Sequence, residues 1–229
     1  VDFLNALVAL ANYVLIPAIS YGSQLALGAL GITLIYGILR FSNFAHGDTM
    51  AFGGMTVVLT TWWLQSMGVS IAPLPTALLA IPVGIVATAL LLLGTDRGIY
   101  KFYRKQKAAP IILVMASLGV MFIMNGLVRF IIGPNDQTFA DGARFIFTAG
   151  DFKRVTGLAE GLALRGSQVI TVVTTIILVA AMFWFLNKTR TGKSMRAFSD
   201  NEDLALLSGI NPERVVTIVW ILVAVLTTV

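Results

Sequence analysis

The chain has 229 residues, 57% hydrophobic and 12% charged, with a mean hydropathy of +0.87, whereas a soluble domain of this length needs far more charge to cover its outside. Its formal net charge of +5 comes from basic residues in short segments between long apolar blocks, a pattern that orients membrane proteins and argues against nucleic-acid binding. The absence of cysteine excludes disulfides, thiolate metal sites and cysteine nucleophiles.

A spanning helix needs roughly 20 mostly apolar residues. The qualifying blocks are Phe3–Ser20, Tyr21–Leu39, Gly47–Leu64, Ile71–Gly94, Pro110–Ile132, Ser167–Asn187 and Pro212–Val229. They predict an all-α, polytopic transmembrane helix bundle of about seven spans, forming one domain over residues 1–229. The first block has no basic leader or small-residue cleavage site, so it reads as a retained helix. The first two blocks run together, and a turn is expected at Pro17–Gly22. Asn5 and Asn12 in the first block read as polar links between helices. Pro82 is expected to kink the fourth block, which neighbouring helices tolerate. The last block reaches Val229 with no terminal charge or turn, which favours a C-terminally truncated chain.

Between the second and third blocks lies Asn43-Phe-Ala-His-Gly-Asp48. It places the chain's one histidine, His46, with Asn43 and Asp48 where one apolar helix ends and another begins. Polar residues at membrane depth face a cavity or pair with one another, and a broken helix can aim free amides at a substrate carboxylate. Two roles are open for His46: contact with a translocation path, or pinning the turn by hydrogen bonds. Asn125, in the fifth block, is a further polar candidate. Arg129 beside it reads as snorkelling to headgroups rather than as a buried pair. Gly28, Gly31 and Gly37, with Gly47 and Ala51, offer close helix approach.

Lysine and arginine set the orientation. Thr95–Ala109 carries Arg97, Lys101, Arg104, Lys105 and Lys107, and Lys188–Asn211 carries Lys188, Arg190, Lys193 and Arg196. Two spans separate these loops, so both fall on one side, which the positive-inside rule makes cytoplasmic. The periplasmic loop is then about 133–166, with Arg144, Lys153, Arg154 and Arg165 balanced by Asp136, Asp141, Asp151 and Glu160. The connection Arg40–His46 is cytoplasmic or re-entrant, and the N-terminus is expected inside.

The segment 188–211 specifies a short, sharply bounded helix. Ser199 with Glu202 forms an expected capping box, and Asp200, Glu202 and Asp203 suit the positive end of a helix dipole. Leu204, Leu206 and Leu207 give an apolar face, Gly209 suits a left-handed C-terminal cap, and Asn211-Pro212 starts the next span. Such a helix either folds against its own bundle or the lipid interface, or acts as a lever fitting a groove in a soluble motor.

Asp203-Leu204-Ala205-x3-Gly209 resembles a degenerate form of the Glu-Ala-Ala-x3-Gly coupling loop of bacterial ABC import permeases. The wider string Met195-Arg196-Ala197, Ala205-x-Leu207-x-Gly209-Ile210-Asn211 and Arg214 resembles the coupling region of LivH-type branched-chain amino-acid permeases. Gly31-x-Thr33-Leu-Ile-Tyr-Gly37 followed by Asn43-Phe-Ala-His-Gly is similar to the signature of the same family, in the same order. The resemblance implies an inner-membrane importer subunit whose contact with its ATPase is made through Glu202, Asp203, Ala205, Leu207 and Gly209. It also implies separate ATP-binding cassette subunits, a second permease subunit in a homo- or heterodimer, and a periplasmic substrate-binding protein. Leucine, isoleucine or valine is the implied cargo, with urea or short amides handled by similar relatives.

Thr191-Gly192-Lys193-Ser194 imitates the end of a phosphate-binding loop, but position 187 is Asn where a glycine is required. The ATPase is therefore expected in another chain. One histidine, no cysteine and no carboxylate cluster inside the spans leave no catalytic constellation, so neither a metal nor a cofactor is expected. A secondary carrier or channel for small polar solutes is the alternative, but carriers place acids within spans and here the acids lie in loops or near span ends.

Overall fold

The computed structural model describes residues 2–69, 71, 74–137 and 145–229. Asp141 and Arg144 of the expected periplasmic loop, and Ala72 and Pro73 of the fourth block, lie outside the described residues.

The described residues are almost entirely helical, and two short strands among them make one antiparallel pair. In chain order the elements are α1 (Asp2–Leu39), α2 (His46–Ser66), α3 (Ala77–Lys105) and α4 (Pro110–Ile132). β1 (Phe145–Phe147), α5 (Ala149–Thr156) and β2 (Leu164–Arg165) follow. The chain then continues through α6 (Gly166–Lys188), α7 (Arg190–Asp200), α8 (Glu202–Leu207) and α9 (Pro212–Thr228). Among the described residues four helices, α1, α3, α4 and α6, are long and apolar enough to cross a membrane. Helix α9 has 17 residues and α2 carries His46, Asp48 and several threonines.

Two sequence expectations fail at α1. No turn forms at Pro17–Gly22, and the helix runs unbroken through both expected blocks, with a π-helical stretch at Ala11–Leu15. Pro17 cannot donate to the carbonyl one turn back, and the widened turn before it absorbs that mismatch. A chain break in an apolar surrounding would leave more backbone groups unpaired. Remaining helical is cheaper. At 1.5 Å per residue α1 is about 57 Å long, nearly twice the hydrocarbon core of about 30 Å.

Without that turn, the start of α1 lies at the other end of the bundle from the basic segments. The Asn5 side-chain oxygen accepts from the Glu160 amide (3.4 Å), and that of Asn12 from the Ala163 amide (3.0 Å). Both asparagines thus tie α1 to the segment between α4 and α6 rather than linking two spans. The start of α1 lies beside the 133–166 segment, not at the basic end as expected. In that segment the Thr148 hydroxyl donates to the Asp151 carboxylate (2.5 Å) and accepts from its amide (3.2 Å). These bonds cap α5 and, with Arg154 nearby, hold the Asp151 carboxyl below its usual range.

The expected loop Thr95–Ala109 is also mostly helix. Helix α3 continues to Lys105 through a π-helical turn at Asp96–Tyr100, so the connection to α4 is only 106–109. Buried Asp96 explains the continuation: Arg104, two turns on, grips its carboxylate with both guanidinium nitrogens at 2.6 and 3.1 Å. Helix α3 runs through Pro82 without a break.

The core sits on α9, which packs against α1, α2 and α3. Val219, Trp220, Val223 and Ala224 are fully buried. A helix apolar on all sides belongs inside a bundle. Trp220 stacks on Tyr100 at 5.6 Å, and Tyr100 meets Phe41 at 5.2 Å. Near the opposite end of α9 the Thr228 hydroxyl bonds that of Thr88 on α3 (3.0 Å).

Candidate functional site

Residues 40–45 form a tight connection between α1 and α2. Helix α1 ends on Arg40, whose amide bonds the Tyr36 carbonyl (3.1 Å) with φ of +59°. Asn43 is buried. Its side-chain oxygen accepts from the Ala45 amide (3.1 Å) and from the Tyr100 hydroxyl (3.2 Å). The first bond is the local turn that asparagine favours. The second joins that turn to α3. The Phe44 amide donates to the hydroxyl of fully buried Ser117 on α4 (3.1 Å).

His46 opens α2 at 2% exposure, with Nε2 3.0 Å from the Gly28 carbonyl of α1. A carbonyl only accepts, so Nε2 carries the proton and donates. Nδ1 is buried with no hydrogen-bond partner among the described residues. The ring packs closely on Gly31, where an added Cβ would stand 2.5 Å from Cε1 and 2.8 Å from Nε2. Gly31 is therefore the glycine that the turn requires, whereas a Cβ at Gly37 or Gly47 meets nothing within 4 Å. Gly31→Ala is expected to lower stability by about 1–3 kcal/mol, since overpacking a fixed ring has no easy relief. Gly37→Ala is expected to change little. Melting of the two purified variants in detergent checks both.

Two residues further along α2, Asp48 accepts from the Asn125 side-chain amide of α4 (2.9 Å). Two of the polar residues singled out in the sequence are thus a direct pair across 77 positions. Arg129 is exposed and not part of it.

At the same end of the bundle, α7 and α8 occupy the segment 188–211. Helix α7 buries Met195 and Phe198, and Thr189 caps its start by accepting from the Gly192 amide (3.0 Å). The expected Ser199–Glu202 capping box does not form. Asn201 caps α8 by accepting from the Leu204 amide (3.0 Å), while the Ser199 hydroxyl donates to the Gly37 carbonyl of α1 (2.6 Å). Ser199 is still in α7, so α8 spans Glu202–Leu207 alone.

Of the α8 residues, Ala205 is buried and Glu202 and Asp203 are exposed. Leu204, Leu206 and Leu207 are exposed at 61%, 46% and 85%. The helix stops at Gly209, with φ of +81°, and Asn211 caps α9 by accepting from the Glu213 and Arg214 amides. Lys101 bridges Glu213 at 2.8 Å, tying the end of α3 to the start of α9. A groove of about 520 Å³ lies between these elements, with Ile38, Leu113 and Val216 on its floor and Arg40, Lys105 and Asp203 at its rim.

Sequence reasoning missed Tyr100 and Ser117, and gave Ser199 the wrong partner. Tyr100 sat in what reads as a loop, Ser117 in an apolar block, and Ser199 had a plausible local partner.

The family model described as branched-chain amino acid transport system / permease component matches residues 14–229. The chain is 24% identical over 215 residues to the high-affinity branched-chain amino acid transport system permease protein BraD of Pseudomonas aeruginosa, covering 94% of this chain and 67% of that one. It is 25% identical over 213 residues to the LivH protein of the same description from Salmonella typhimurium, covering 92% and 66%. It is 30% identical over 206 residues to the "Probable branched-chain amino acid transport permease protein LivH" of Methanocaldococcus jannaschii, covering 90% and 60%. The chain thus spans about two thirds of the length of these relatives. No solved structure matches it.

Proposed function

This chain belongs to the branched-chain amino acid transport permease family, and on that premise we propose that it is the membrane subunit of an ABC importer moving leucine, isoleucine or valine inward. ATP hydrolysis is supplied by separate cassette subunits, and a periplasmic binding protein delivers the cargo to a permease dimer in the bacterial inner membrane. The observation that carries this is α8: a six-residue helix, capped at both ends, whose three leucines face outward where the basic residues gather. Isolated exposed leucines need no explanation, but three on one rigid turn form a small apolar knob.

In this reading α1, α2, α3, α4, α6 and α9 each cross once. The basic end is cytoplasmic by the positive-inside rule, which puts the N-terminus and the 133–166 segment outside, where the binding protein arrives. The translocation path runs by the α1–α2 turn and the Asp48–Asn125 pair. Asn43 and His46 hold the turn in shape, because both are buried and bonded to neighbouring helices. A carrier driven by an ion gradient is less well supported. Asp48 is held by Asn125 and Asp96 by Arg104, so neither stands free to take up a cation.

Uptake of labelled leucine into vesicles holding the permease, its ATPase subunits and binding protein is expected to need internal ATP and to survive an ionophore. Uptake without ATP that an ionophore collapses would overturn the importer reading.

A further inference from the structure

Helices α7 and α8 hang from the bundle by few polar contacts. Among the described residues, two hydrogen bonds join them to a helix not adjacent in sequence, and both reach the end of α1. The Ser199 hydroxyl donates to the Gly37 carbonyl (2.6 Å), and the Arg40 guanidinium donates back to the Ser199 carbonyl. The two bonds run in opposite senses between the same two chain segments. Together they form a clasp, with Met195 and Phe198 packed behind it in the core.

Arg40 is held in the left-handed region at φ +59°. A residue with a side chain rarely stays there unless its surroundings compel it, at a cost of order 1–3 kcal/mol. Glycine would end α1 more easily. What arginine adds at this position is the guanidinium, and the guanidinium holds Ser199. The same helix, two to three turns along, presents the Gly28 carbonyl to His46 and the bare Gly31 face to its ring. Helix α1 thus touches both the support of the exposed α8 knob and the histidine turn.

We propose that Ser199 and Arg40 are positioning residues that carry movement of α8 into α1, and through α1 to the Gly28–His46 contact. Directional hydrogen bonds suit this task because they fix relative position along the helix axis. Apolar contacts alone would let α7 slide. The inference rests on the importer reading above.

The test uses the permease reconstituted with its ATPase subunits and binding protein, measuring leucine taken up per ATP hydrolysed. Ser199→Ala removes one bond. Arg40→Gly keeps the left-handed backbone while removing the guanidinium. Both are expected to retain the ATPase subunits and ATP hydrolysis while uptake per ATP falls about fivefold or more, the scale of ordinary coupling energies. Ser199→Thr, which keeps the hydroxyl, is expected to restore it. Unchanged uptake per ATP, or uptake and hydrolysis falling in proportion, overturns the proposal. So does failure of both variants to assemble, which would make the clasp a folding contact only. A wild-type complex without ATP-driven uptake would instead refute the importer reading, so the two failures are distinguishable.

Discussion

Leu207→Asp is expected to abolish capture of the ATPase subunits, and with it ATP-driven uptake, while the permease itself remains folded. Leu207 is 85% exposed at the end of α8, so the free protein loses almost no packing when it is replaced. In a docked complex the same side chain would be buried, and a carboxylate there would be desolvated without a partner. Central apolar anchors of this kind cost about 2 kcal/mol or more when removed, which is roughly thirtyfold in affinity. Pulldown of the subunits with purified variant protein measures the loss, and its melting temperature confirms that folding is intact. Gly209→Pro is expected to act in the same direction through the backbone. Proline is confined near φ −65°, and Gly209 stands at +81°. Capture at wild-type strength by Leu207→Asp would remove α8 as the docking element.

Arg104→Leu is expected to produce the largest loss of stability. The Asp96 side chain is 7% exposed and that of Arg104 20%, and the two meet through both guanidinium nitrogens. Removing the arginine leaves a buried carboxylate alone, at a cost of about 3 kcal/mol after allowing for the partial exposure of Arg104. For a chain of this size that is a fall in melting temperature of roughly 6–12 °C. The double replacement of Asp96 and Arg104 by Leu is expected to recover most of it, because the charge needing a partner is then gone. Equal losses in the single and double variants would mean that arginine packing, not the ion pair, stabilises this end of α3. The pair matters for function because it keeps α3 helical to Lys105. That continuation brings Tyr100 under the asparagine turn and Lys101 to Glu213.

Much of the architecture was legible in residue order. Apolar blocks of spanning length located every long helix to within a few residues at most ends, and lysine and arginine placement put the two basic segments at one end. The cap chemistry around Gly209 and Asn211-Pro212 is local, and the structure has it as expected. What misled was competition between local and distant partners. Ser199 stands three residues before Glu202 and fits a capping box, yet the Gly37 carbonyl claims its hydroxyl and Asn201 takes the cap. Charges at 97–107 suggest a loop, but Arg104 folds back onto Asp96 and keeps the segment helical.

The residue order alone thus determined a helical membrane protein, its polarity of charge, and which turn and which short helix are worth attention. Those are properties of hydropathy and of neighbours within one or two turns. Tertiary structure decided that Pro17 lies inside a continuous helix, that the N-terminus sits beside the 133–166 segment, and that Asp48 pairs with Asn125, His46 with Gly28 and Ser199 with Gly37. Buried polar groups must find partners wherever the packed bundle brings one within reach, and distance along the chain does not say which that will be.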